Sequence, residues 1–194
     1  MARKQVLEPG RQQSRTARNI FRIKAAVILA GTVFAALQAV PGPAKTNPAV
    51  VPGRAIEDNL RLTSAVSGLL RRACADCHSH QTRWPWYSRV APLSWQIAQD
   101  VNSARRAMNF SEWSIGVGRS PGTAVGTLAA ACANVKSGRM PLTRYLMLHP
   151  EARLSPRDQA MFCEWTGQEI ARLLSKKRQA ERLEEARAGR QGEE

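Results

Sequence analysis

Apolar and polar positions divide the chain into a membrane-like segment and a longer body. Ala25 to Val40 is a run of 16 residues without charge, extended upstream by Ile20, Phe21 and Ile23. The run is shorter than the roughly 20 residues that cross a bilayer comfortably, a shortfall met if Arg22 and Lys24 snorkel towards headgroups. Pro41-Gly-Pro43 and Asn47-Pro48 through Pro52-Gly53 read as an extended linker. Beyond it, Ile56, Leu60, Val66, Leu69 and Leu70 recur at roughly helical spacing and predict a helix over 55–73. Pro92 opens a second helix with Leu93, Ile97, Val101 and Met108 on one face, and a third runs over 123–136 until Gly138 stops it. Ser155-Pro156, with Asp158 three residues after the serine, supplies an N-cap, an N1 proline and an N3 acid. The last helix therefore begins there and carries Met161, Phe162, Trp165, Ile170, Leu173 and Leu174. Stretches 79–90, 109–122 and 139–142 read as loops. No segment alternates with the period of a strand, so the fold is expected to be all-α.

Charge sharpens the first part of this picture. The net charge is +14, and seven Lys/Arg against Glu8 fall in the first 24 residues. A basic segment before an apolar run keeps the N-terminus in the cytoplasm and sends the rest outward. The favoured outcome is an uncleaved signal anchor; the alternative is a signal peptide cut near Ala39, although Leu37 fits the small-residue rule for cleavage poorly. The organisation expected is a basic leader over 1–24, a membrane segment over 25–40, a linker over 41–53, a folded domain over 54–175 and a charged tail over 176–194. The tail could prolong the last helix as a solvated stretch. No motif for reading nucleic acid accompanies the bases, and nucleic acid is not expected as a partner.

Export places everything after about residue 41 in an oxidising space, where disulfides persist. Four cysteines lie there. Cys74-Ala-Asp-Cys-His78 is the pattern in which two thiols add across the vinyl groups of haem and the next imidazole reaches the iron. A thioredoxin-like pair would want a βαβ context, and a zinc site would want a second close pair of ligands. Cys132 and Cys163 are too far apart for a knuckle; they either bridge two helices or remain buried thiols. For the other axial position of the iron, Met140 in the Arg139-Met-Pro141 loop is the first candidate and His149 the second. A vacant position is the third possibility. Met147 reads as core and His80 as an exposed loop histidine. Trp84, Trp86, Trp95, Trp113 and Trp165 read as core and pocket material.

The chain resembles a known family in an ordered series of motifs. These are Cys74-Ala-Asp-Cys-His-Ser79, Thr82-Arg-Trp-Pro-Trp-Tyr-Ser88, Val90-Ala-Pro92, Ser94-Trp95, Asp100-Val101, Asn109-Phe-Ser-Glu-Trp113, Ser137-Gly-Arg-Met-Pro-Leu142, Tyr145, Leu148-His-Pro150, Ala152, Leu154-Ser155 and Trp165. Together they resemble the bacterial haem-binding domain family, which is cytochrome c-like and usually follows one N-terminal hydrophobic segment. The likeness spans about residues 47–174. It implies one covalent haem c on Cys74 and Cys77, with His78 as proximal iron ligand and Met140 in the Met-Pro element. It also implies a haem domain facing the periplasm from the bacterial inner membrane. His80 departs from the family pattern, in which asparagine follows His-Ser.

Three functions remain open on this reading. An electron-transfer module with His/Met-ligated iron is the first, and the bases Arg71, Arg72, Arg105 and Arg106 then point to redox partners with acidic docking surfaces. A haem enzyme with an open sixth position is the second; His149 or Glu164 would serve as its acid/base. A gas or redox sensor signalling through the membrane segment is the third.

Overall fold

The computed structural model describes residues 9–116, 118 and 120–191. The first eight residues of the basic leader and the last three of the charged tail lie outside them. Every regular element among the described residues is helical. The chain forms two compact units, one comprising residues up to Pro43 together with Pro85–Ile97, the other Ala44–Trp84 together with Ala98 onward.

The first unit is dominated by α1, Pro9–Gln38. Within it, Arg15–Gln38 is long and apolar enough to cross a membrane. Its apolar side chains are exposed, among them Phe21, Val27, Ile28 and Leu29. The unit also contains a 3-10 turn at Trp86–Arg89 and the start of α5, Leu93–Ala107.

The second unit holds the core. Its helices are α2 (Ile56–Asn59), α3 (Ser64–Ala73), α4 (Ala75–His78), the remainder of α5, α6 (Pro121–Lys136), α7 (Thr143–Leu146) and α8 (Pro156–Gln191). The helix expected over 55–73 is broken in two. Leu60 is extended at the end of α2, and α3 starts afresh behind Thr63, whose hydroxyl accepts the Val66 N–H at 3.2 Å. A threonine that caps ends the continuous ladder that the apolar spacing alone suggests. Helix α6 begins two residues early because Ser120 caps it and Pro121 occupies its first turn.

The capping box expected at the last helix is present. The Ser155 hydroxyl accepts from the Asp158 N–H at 3.1 Å, and the Asp158 carboxylate accepts from the Ser155 N–H at 2.9 Å. Helix α8 then continues through the charged stretch to Gln191, with its last turns exposed.

Helices α6 and α8 form the main helix pair. Leu128 and Val135 of α6 meet Phe162 and Trp165 of α8 and Val66, Leu69 and Leu70 of α3 in one buried cluster. Each such side chain fully buried contributes about 1.5–3 kcal/mol, whereas an exposed pair such as Lys177–Glu181 at 3.6 Å adds at most about 1 kcal/mol. The core therefore decides the fold. A Cys132–Cys163 disulfide joins α6 to α8 across it.

Candidate functional site

The segment Cys74–His78 makes a single helical turn. The Cys77 and His78 N–H groups both donate to the Cys74 carbonyl, at 3.1 and 2.9 Å, and Ser79 N–H donates to Ala75 at 3.0 Å. Spacings of three and four residues place Cys74, Cys77 and His78 on one face of such a turn. The opposite side is fixed by Asp76, which is buried. Its carboxylate accepts from the Arg83 backbone N–H at 3.0 Å, the Arg83 guanidinium at 3.0 Å and the Tyr145 hydroxyl at 2.9 Å. Burial alone would raise the Asp76 carboxyl, but these donors outweigh it and hold the group below its ordinary range. The Thr82 hydroxyl also donates to the Asp76 carbonyl at 2.7 Å.

Neither cysteine of the turn is in a disulfide. Burial pushes the Cys74 thiol up to about 12 and the Cys77 thiol up to about 11. Both are protonated at neutral pH.

His78 is oriented from behind. Its Nδ1 lies 2.9 Å from the Met108 carbonyl oxygen, which can only accept, so Nδ1 carries the proton. Burial lowers the imidazole below its ordinary value and keeps it neutral. The lone pair is therefore on Nε2, the arrangement in which a metal-binding histidine is set by the hydrogen bond of its other nitrogen. Phe110 stacks on the ring with centroids 5.7 Å apart.

Met140 reaches the same region through the end of α6. Gly138 has φ +69°, a conformation that a residue with a Cβ adopts at a cost. Its N–H donates to Val135 at 3.1 Å, and Arg139 N–H donates to Asn134 at 2.9 Å. Together they form a Schellman ending. The Met140 N–H also donates to Asn134, at 3.1 Å. The Met140–Pro141 peptide is cis.

Two cavities adjoin these residues. One, of about 300 Å³, is walled by apolar side chains including Ile56, Leu70, Leu128, Phe162 and Trp165. The other, of about 270 Å³, has Cys77, Ser103, Tyr145 and the Asp100–Arg144 ion pair on its walls. Cys74, His78, Ala107 and Met140 line both. The structure thus brings the expected attachment residues, proximal histidine and methionine around one cleft.

His149 stands apart from both cavities. Its ring stacks on Tyr145 at 4.2 Å and its Nδ1 lies 3.2 Å from Glu151. Cys132 and Cys163, bonded to each other, are not available as a second ligand pair for zinc. Among the described residues there is also no strand of the kind a thioredoxin-like pair requires.

Several side chains sit differently from their sequence reading. His80 is buried, not an exposed loop residue. Its backbone N–H donates to the Ser111 hydroxyl at 2.9 Å, and its Nε2 meets the Asn109 amide at 2.9 Å. Its Nδ1 is buried without a hydrogen-bond partner among the described residues. The reversal comes from contacts about 30 residues away in sequence, which local polarity cannot reveal. Met147 is exposed, and so is Trp86, while Trp113 and Trp165 are buried in the core.

Arg105 and Arg72 are half-buried and bonded to other parts of the chain. Arg105 donates to the carbonyls of Ser79 and Thr46 and to the side chains of Asn47 and Thr82. Arg72 donates to the carbonyls of Glu151 and Arg153. The roles of Asp76, Arg105 and Asn109 in organising the site are not legible from local sequence pattern. The only local signal was an acid lying between two cysteines of a short motif.

The model of the haem-binding domain family matches residues 32–168. The chain belongs to that family. No curated protein and no solved structure matches it. A haem-binding function agrees with the donor set: two free thiols, an imidazole held neutral from behind, a thioether and an apolar-walled cleft.

Proposed function

We propose that the protein carries one covalent haem c, joined through Cys74 and Cys77, and passes electrons while tethered to the bacterial inner membrane by α1. His78 and Met140 ligate the iron, and the haem domain faces the periplasm. The observation that carries this reading is the fixed tautomer of His78, whose Nδ1 is 2.9 Å from the Met108 carbonyl, within a cleft that Cys74 and Met140 also line.

Bound haem supplies a reversible one-electron change between ferric and ferrous iron. The chain's own residues do the rest. Cys74 and Cys77 hold the macrocycle, and the Met108 carbonyl keeps His78 in the ligating tautomer. Leu70, Leu128, Phe162 and Trp165 keep water from one side. Methionine ligation favours the ferrous state and raises the potential. With Arg72 and Arg105 half-buried and bonded within the chain, a docking surface for acidic redox partners rests chiefly on the exposed Arg71 and Arg106.

The test is spectroscopic. The ferric protein is expected to show the weak methionine–iron charge-transfer band, and Met140→Ala to abolish it. Persistence of the band in Met140→Ala would overturn the ligand assignment. Rapid uptake of carbon monoxide by the ferrous protein at neutral pH would overturn the carrier reading and favour an open-site enzyme or sensor.

A further inference from the structure

Trp86 is 78% exposed, the most open of the large apolar side chains among the described residues of the first unit. A single exposed indole is ordinary on a protein surface. Its attachment makes this one unusual. The segment that carries it is tied to the exit of α1 by both ends of one side-chain amide. Gln38 Nε2 donates to the Ala91 carbonyl at 3.1 Å, while Gln38 Oε1 accepts the Ala91 N–H at 3.0 Å. A second tie lies four residues on along each strand of chain, where Gly42 packs so closely under Trp95 that a Cβ there would run into the indole.

Gln38 is the last residue of the apolar helix. At 1.5 Å per residue, Ile20 to Gln38 covers about 27 Å, close to the ~30 Å thickness of a bilayer's hydrocarbon core. The amide that grips Ala91 therefore falls at the level of the headgroups. In the same unit, and within five residues of Ala91 or two of Gln38 in sequence, lie Trp86, Tyr87, Arg89 and the exposed Leu93 and Val40. Trp86 and Tyr87 meet edge to face with centroids 5.8 Å apart. Tryptophan and tyrosine concentrate at membrane interfaces because each joins an apolar ring to a polar atom. Arg89 is suited to lipid phosphate.

We infer that Pro85–Leu93 is a second membrane contact, with Trp86 seated in the interface of the phospholipid bilayer that holds α1. This rests on the membrane reading of α1. The occupant follows from continuity, since the segment is bonded to the end of the one described helix that is long and apolar enough to cross a bilayer.

The test uses full-length, haem-loaded protein in nanodiscs whose lipids are brominated near the headgroup end of the acyl chains. Tryptophan emission is compared with that in unbrominated discs. Wild-type emission is expected to fall, and at least half of that fall to vanish in Trp86→Phe but not in Trp84→Phe. A Phe34→Trp variant in the Trp86→Phe background reports insertion of α1 itself. If Phe34→Trp is quenched while wild type and Trp86→Phe fall alike, the second contact is overturned and the anchor stands. If Phe34→Trp is not quenched either, the membrane reading of α1 fails and the inference fails with it.

Discussion

His78 and Met108 are joined by a 2.9 Å contact between imidazole Nδ1 and a backbone carbonyl, so the orientation of the His78 ring depends on the chain path at 108–112. Asn109 shapes that path. Its Oδ1 accepts the Ser111 N–H at 3.0 Å, and its amide meets His80 Nε2 at 2.9 Å. Asn109→Ala removes a cap and leaves a buried imidazole nitrogen without its partner. The expected loss of stability is about 2–3 kcal/mol, read from the midpoint of denaturant unfolding. A change below about 0.5 kcal/mol would mean that the turn holds itself without Asn109.

Arg105 binds two separate stretches of chain, 46–47 and 79–82, to one guanidinium. It reaches Ser79 O at 2.8 Å, Thr46 O at 2.7 Å, Asn47 Oδ1 at 3.0 Å and Thr82 Oγ1 at 2.9 Å. Arg105→Ala is expected to destabilise by about 3 kcal/mol. Arg105→Lys should recover less than half of that, because an ammonium lacks the planar fork. Equal stability of the lysine variant and wild type would contradict the multidentate role.

The Cys132–Cys163 disulfide closes a loop with a sequence separation of 31. Loop-closure entropy for that length corresponds to about 3–4 kcal/mol. The Cys132→Ala/Cys163→Ala double variant should lose that much stability and keep its haem spectrum, since neither residue lines the cleft cavities. Loss of the spectrum in a variant that remains folded by circular dichroism would show that the bridge shapes the cleft.

Asp158 gives the unit an acid-sensitive helix start. The Ser155 N–H and then its hydroxyl hold the Asp158 carboxyl below its ordinary value of 3.8; modest burial opposes them and Arg72 assists. A carboxyl with a lowered folded-state value stabilises the fold above its unfolded value and loses that contribution as pH falls through the folded one. The stability gap between wild type and Asp158→Asn should therefore be full at neutral pH and close below about pH 4. A gap that stays constant over that range would show that the charge is immaterial.

Much of this architecture is legible from local chemistry. Ser155, Pro156 and Asp158 announce the start of α8 because capping is decided within four residues. Gly138 marks the end of α6 for the same reason. The Cys74–His78 turn is visible because its three chemical groups sit three and four residues apart. The break between α2 and α3 is harder to see, since Thr63 can cap a helix or sit within one and only packing decides. The burial of His80 depends on Asn109 and Ser111, and the bonding of Arg105 depends on Thr46 and Asn47. Such long-range partners leave no trace in local periodicity. The charged stretch after Lys176 is ambiguous for a different reason, because a solvated helix and a loose tail share its composition.

We propose that Cys74 and Cys77 hold haem covalently beside His78. Acid-acetone extraction of the exported, mature protein tests it most directly. Haem should remain with the polypeptide in wild type, with an intact mass increased by one haem, and should be released from the Cys74→Ala/Cys77→Ala variant. Extractable haem in the wild-type protein would contradict covalent attachment.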